Sequence, residues 1–144
     1  MKIVNEILAA KGREVFTTTP DAPVYDALVL MAQKNVGALV VVENDTVAGI
    51  LSERDYARKV ILRGESSKEL PVQKIMSRRV ICVSPEMGIE ECMALMTGQR
   101  IRHLPVLKGE RLVGVISIGD IVKALMAEQE FIIEQLEDYI RGSY

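Results

Sequence analysis

Apolar residues in this chain follow two alternating periods. Val24, Ala27, Leu28, Met31 and Ala32 fall at i, i+3, i+4, i+7 and i+8, one face of a helix. Ile89, Cys92, Met93 and Met96 repeat that stripe further along. Between the helices lie short runs rich in β-branched residues. Ala38 to Val42 and Val47 to Leu51 flank Glu43-Asn44-Asp45, which predicts a hairpin. Leu104 to Leu107 and Leu112 to Ile116, around Lys108-Gly109-Glu110, predict another. Val15 to Thr18 and Val80 to Val83 are expected to be short strands, each closed by a Thr/Ser-Pro pair. Helices are expected to start at Ser52 and Ser117, and short ones upstream at Val4 to Leu8 and Val72 to Met76. Each unit thus reads β-α-β-β-α after a short helix. A final stripe, Ile132, Ile133, Leu136 and Ile140, predicts a long helix over Glu128 to Ile140 that ends at Gly142. If that stripe does not fold back on the module, it suits a partner subunit.

The two units are a duplication. A shift of 65 residues lays 15–61 on 80–126 without a gap. Nine positions then match: Val15/Val80, Pro20/Pro85, Leu30/Leu95, Met31/Met96, Leu39/Leu104, Val41/Val106, Gly49/Gly114, Ser52/Ser117 and Asp55/Asp120. Val4-Asn5-Glu6-Ile7-Leu8 echoes Val72-Gln73-Lys74-Ile75-Met76 at a slightly different spacing. One unit of roughly 60 residues would leave an apolar face in water, and two packed sheet to sheet would cover it. The expected fold is therefore α/β of the α+β kind, with two pseudo-symmetric repeats and a C-terminal helical extension. The whole chain, 1–144, reads as one module: repeat 1 over 1–65, repeat 2 over 66–127, and a helix and tail over 128–144. The polar stretch Arg63-Gly64-Glu65-Ser66-Ser67-Lys68-Glu69 is the expected connector.

Composition narrows the function classes. The hydrophobic fraction of 49% is that of an ordinary globular protein. With 18 Lys and Arg against 20 Asp and Glu, net charge is −2, so the chain as a whole offers no electrostatic case for nucleic acid or an anionic membrane. No apolar run approaches the ~20 residues of a membrane span, and the N-terminus lacks the apolar stretch of a signal peptide. Cys82 and Cys92 lack metal-ligand spacing and read as reduced thiols in a cytoplasmic protein.

The doubled pattern carries Gly49-Ile50-Leu51-Ser52-Glu53-Arg54-Asp55 and Gly114-Val115-Ile116-Ser117-Ile118-Gly119-Asp120, a Gly-x-x-Ser-x-x-Asp motif after each hairpin. With Arg102-His103-Leu104-Pro105-Val106, these segments resemble the CBS (cystathionine-beta-synthase) domain family over nearly the whole chain. Ser52 to Val60 resembles its free-standing two-repeat members, which have no attached enzyme. The resemblance implies two clefts between the repeats that hold AMP, ADP, ATP, S-adenosylmethionine or NAD, and frequent pairing as homodimers. AMP or a related adenylate is the expected ligand, with ATP, NAD(H) and S-adenosylmethionine open, and no metal is expected. The effector protein is unidentified.

Ser52-x-x-Asp55 and Ser117-x-x-Asp120 also fit a capping box, in which Ser caps the helix and the acid meets backbone N–H groups. In the resembled family this Asp accepts both hydroxyls of a ribose. The two roles coexist, and each helix start can add free N–H groups for a phosphate. The resemblance sets basic residues at Arg102 and His103 against phosphates, one for each cleft if neighbours at a strand entrance point oppositely. Their counterparts Gly37 and Ala38 are small and uncharged, so the two clefts should differ. One expected site joins Asp120, Ser117, Gly119 and His103 with Thr17, Thr18, Gly37 and Ala38. The other joins Asp55, Ser52, Arg54 and Arg102 with Val80 to Val83, Val80 and Val83 included. Arg58, one turn from Arg54, can add charge or simply be solvated.

Three other functions fit less well. An enzyme would need a base, a metal motif or a phosphate loop, and the chain has one His and no Walker or Rossmann glycine loop. A nucleic-acid binder would draw on Arg78, Arg79, Arg100, Arg102 and Arg111, but no reading motif accompanies them. A ligand-free dimerisation scaffold would use the same duplicated fold.

Overall fold

A computed structural model describes residues 2–142. Helix α1 (Val4–Lys11) leads into strand β1 (Thr17–Thr18), helix α2 (Val24–Lys34) and the hairpin β2 (Ala38–Glu43) and β3 (Thr46–Ser52). Helix α3 (Glu53–Tyr56) runs on into a π-helical turn (Ala57–Ile61). The second copy opens with a 3₁₀ turn (Val72–Lys74), then helix α4 (Ile89–Gln99), strands β4 (His103–Lys108) and β5 (Arg111–Ser117), and helix α5 (Ile118–Arg141).

The duplication extends to backbone detail. In the first sheet β1 lies parallel to β2, with Thr18 opposite Val41, and β3 pairs antiparallel to β2 from Ala38↔Ser52 to Glu43↔Thr46. In the second, β4 and β5 pair from His103↔Ser117 to Lys108↔Arg111. Both hairpins shift register at the equivalent step, after Val41 and after Val106. Both central helices end on a left-handed residue, Asn35 (φ 54°) and Arg100 (φ 56°). Asn44 and Asp45 (φ 52° and 61°) turn the first hairpin as a two-residue loop of the primed type requires.

Four expectations are corrected. Val80 to Val83 is not a strand: Val83 alone makes a parallel bridge, to Val106. Pro105 stands where repeat 1 has Val40, and proline has no N–H to extend the ladder. Of Val15 to Thr18, only Thr17–Thr18 is strand. The helix after Ser52 is one α turn that widens into a π turn. The helix expected at Ser117 and the one expected from Glu128 are a single helix of 24 residues, ended by Gly142 at φ 74°.

Two hydrophobic cores form, and each borrows from the other half. Val4, Ile7 and Leu8 of α1 join Val83, Ile89, Cys92, Met96, Leu104, Val106, Ile116 and Ile121 in the second core. Val72, Ile75 and Met76 join Val24, Ala27, Met31, Leu39, Val41 and Leu51 in the first. This exchange explains the motif glycines. A Cβ on Gly114 would stand 2.5 Å from Leu8, and one on Gly49 would stand 2.7 Å from the Met76 sulfur and 2.8 Å from the Ser77 carbonyl. Only a hydrogen leaves room for the crossing segment.

Candidate functional site

Two clefts open where the repeats meet, at Gly37 before β2 and His103 at the start of β4. The larger, about 620 Å³, is lined by Asp120, Ser117 and Val115 of one repeat, Phe16, Val36, Gly37 and Ala38 of the other, and by Lys11, Glu14 and His103. The smaller, about 360 Å³, is lined by Ser52, Arg54 and Asp55 against Arg79, Val80, Ile81, Arg100, Arg102 and His103.

At each cleft a strand runs straight into a helix, and the motif serine caps it. The Asp120 N–H donates to Ser117 Oγ (3.2 Å) and the Ser117 N–H returns to Asp120 Oδ2 (2.8 Å). The Asp55 N–H donates to Ser52 Oγ (3.2 Å) and the Ser52 N–H to Asp55 Oδ2 (3.0 Å). Both boxes close, although with Asp where Glu is usual. A lysine then meets each carboxylate. Lys11 Nζ, at the end of α1, lies 2.7 Å from Asp120 Oδ2 and donates to the Val115 carbonyl at 2.9 Å. Lys59 Nζ lies 3.2 Å from Asp55 Oδ1 and donates to the Ile75 carbonyl at 3.0 Å. Asp55 therefore has both oxygens engaged, while Oδ1 of Asp120 has no partner among the described residues.

Charge separates the clefts further. The smaller sets four arginines, 54, 79, 100 and 102, against Glu53 and Asp55. The larger sets Lys11 against Glu14 and Asp120. Burial pushes His103 below the ordinary imidazole value; Asp120 pulls it up, and Lys11 and Arg102 push it further down. For Asp120, burial opposes ionisation, but the hydrogen bonds from Lys11 and Ser117 and the charge of Lys11 outweigh it, holding the carboxyl below its usual range.

The structure brings most of the expected residues together. Asp120, Ser117, His103, Gly37 and Ala38 share the larger cleft. Asp55, Ser52, Arg54, Arg102 and Val80 share the smaller, with Gly37 and His103 lining both. Thr17, Thr18 and Gly119 are not among the lining residues of the larger cleft, nor Val83 and Arg58 among those of the smaller. The ladder gives the reason for two of them. Thr18 faces Val41 and Val83 faces Val106, each three residues beyond the strand start that borders the cleft, about 10 Å away. The chain passes the clefts earlier, at Val15-Phe16 and Val80-Ile81.

Lys11 also lines the larger cleft, and Arg79 and Arg100 the smaller, positions that the motif reading does not give them. The upstream echo holds the signal for two of them. Laying Val4 on Val72 also lays Lys11 on Arg79, so both repeats send a cation into a cleft from the same place. Arg100 carried no such mark, since its position depends on the left-handed end of α4.

Among the described residues no helix is long and apolar enough to cross a membrane, and no group of three or more His, Cys, Asp or Glu is placed to hold a metal ion.

Known proteins place this architecture. The chain is 43% identical to CBS domain-containing protein CBSX3, mitochondrial, of Arabidopsis thaliana, over 98% of this chain and 73% of that one. A solved CBS-domain protein from Burkholderia ambifaria is 53% identical, with a TM-score of 0.86 over 89% of this chain and 96% of that one. A CBS domain pair solved with 5′-methylthioadenosine and S-adenosyl-L-methionine shares the fold at a TM-score of 0.78 and 21% identity, over 89% of this chain and 98% of that one. The family model for the CBS domain matches residues 5–62 and again 72–127, and the chain belongs to the CBS domain family as a pair of such domains.

Proposed function

We propose that this module is a regulatory sensor of an adenine nucleotide, with AMP or a related adenylate the favoured ligand of the larger cleft. The observation that carries the reading is Asp120 at the rim of a 620 Å³ cavity built from both repeats, capped by Ser117 and with one carboxylate oxygen uncommitted. A ribose diol needs an acceptor of that kind, and the small Gly37-Ala38 opposite leaves backbone for a flat base. Lys11 and a protonated His103 can meet one phosphate. The arginine-lined smaller cleft suits a ligand richer in phosphate, ATP or NAD(H) among them. The adenosine-containing ligands of the distant CBS pair support the chemical class.

A ligand joining Gly37-Ala38 to Asp120 would tie one repeat to the other and favour one relative setting, which a partner protein then reads. Ligand can shift that balance only by its differential affinity for the two settings. The reading is a non-catalytic one, acting as a homodimer on an unidentified effector. A reducing compartment, the cytoplasm in the simplest case, suits the free Cys82 and Cys92.

Calorimetric titration of nucleotide-free protein with AMP, ATP, NAD, NADH and S-adenosylmethionine tests it. Saturable binding of one of them, weakened about 10- to 150-fold by Asp120→Ala, is expected if a charge-assisted contact of roughly 1.5–3 kcal/mol is lost. Heat from none of them would leave a dimerisation scaffold as the better reading.

A further inference from the structure

The smaller cleft repeats the plan of the larger but not its chemistry. Under the 65-residue shift, Arg54, Arg100 and Arg102 correspond to Gly119, Asn35 and Gly37. Arg79 has a basic counterpart in Lys11. Three of the four arginines lining this cleft therefore have no cationic equivalent in the other repeat. The same three are the ones the fold does not use. Arg79 donates to Gln99 Oε1 at 2.7 Å. The guanidinium groups of Arg54, Arg100 and Arg102 make no hydrogen bond or ion pair among the described residues. Arg100 is also held at φ 56°, a left-handed setting that favours the Asn of repeat 1 over a long side chain.

Asp55 decides what these arginines can hold. Its Oδ2 accepts from the N–H and the hydroxyl of Ser52, at 3.0 and 3.1 Å. Its Oδ1 lies 3.2 Å from Lys59 Nζ, which the Ile75 carbonyl holds in turn. A ribose diol would have to displace that lysine, whereas at Asp120 it would find Oδ1 open. A phosphate chain needs no such acceptor. Its oxygens accept from planar guanidinium groups, two bonds at a time. Arg54 approaches from one repeat, and Arg79, Arg100 and Arg102 from the other, so successive phosphates can be gripped from both sides. With Asp55 offset by Lys59, the four arginines face only Glu53 among the lining acids. A cationic ligand would be repelled.

We propose that the smaller cleft is a site for a linear phosphate chain of the di- or triphosphate class, held by Arg54, Arg79, Arg100 and Arg102 without recognition of a ribose. The chain is free, or it is the tail of a nucleotide whose nucleoside adds little. The proposal rests on the reading of the smaller cleft as a ligand site, and not on AMP in the larger.

Calorimetric titration of the nucleotide-free full chain in metal-free buffer tests it, with tripolyphosphate, ATP and adenosine as probes. Tripolyphosphate should bind saturably. Arg100→Asn, which places the repeat-1 residue at the left-handed position, should weaken it about 10-fold or more, and so should Arg102→Gln. Arg111→Ala removes an equal charge outside the cleft and should leave the affinity within about threefold. All three arginines are exposed, so circular dichroism melts should stay unchanged. At the site that Arg100→Asn weakens, ATP should match tripolyphosphate within about threefold, and adenosine should not displace the chain. No heat from tripolyphosphate, or an equal loss from Arg111→Ala, would overturn the site. Tighter ATP binding than that, or displacement by adenosine, would overturn recognition by phosphate alone and return the cleft to a nucleoside ligand. No probe is AMP and no variant touches Asp120, so AMP binding in the larger cleft stands or falls separately.

Discussion

Asp120 and Asp55 hold the same step of the same motif, yet the lysine that meets each arrives by a different route. Lys11 comes from 109 residues away in sequence, on a helix belonging to the other repeat. Lys59 comes from the same helical segment, four residues on. The Asp120 cleft therefore depends on the crossing of α1 into the second core, and the Asp55 cleft has its counter-ion built in locally. Duplication supplied two equal motifs, and packing made them unequal: one site roomy with an open carboxylate oxygen, the other smaller, arginine-rich and with both carboxylate oxygens engaged.

The crossing itself is where the comparison breaks most easily. Gly49→Ala drives a methyl at the Ser77 backbone carbonyl, which cannot swing away, and should cost about 3 kcal/mol. Gly114→Ala meets only the end of the Leu8 side chain and should cost about 1–2 kcal/mol. Urea unfolding of both variants measures the two, and an equal cost would mean that the crossings are equally adaptable.

His103 sharpens the comparison from the chemical side, by a smaller effect. A phosphate placed beside His103 favours the protonated ring by its charge, so the bound state has the higher imidazole pKa and binding takes up a proton. AMP affinity should then rise several-fold as pH falls from about 7.5 to 6, and His103→Gln should flatten that slope. In the unliganded protein the sign is opposite for stability. Its folded pKa lies below the unfolded one, so stability is highest above the unfolded value and declines as pH falls through it. Affinity independent of pH between those limits would place the phosphate away from His103.

Much of this was legible in the sequence because the fold was written twice. The stripes from Val24 and Ile89, the two hairpins and the capped Ser52 and Ser117 stand where the pattern puts them. The failures share a cause, which is that pattern reports local preference while ladders and crossings are settled by partners. Val80 to Val83 has strand composition, but Pro105 across from it cannot complete the ladder. Thr18 and Val83 are expected at the clefts, but register sets them opposite Val41 and Val106, and neither is among the lining residues. Lys11 reaches Asp120 only because α1 packs on the other repeat, which no window of sequence around either residue records. The merging of two expected helices into α5 follows from an unbroken run of helix formers from Lys123 to Glu130, with no Gly or Pro to divide it.

The most direct test is a calorimetric titration of nucleotide-free wild type, Asp120→Asn and Asp55→Asn with AMP. If the larger cleft is the AMP site, wild type binds saturably and Asp120→Asn weakens that binding about 10- to 150-fold, while Asp55→Asn leaves it within about threefold. Absence of saturable binding, or an Asp120→Asn affinity equal to that of wild type, would contradict the account.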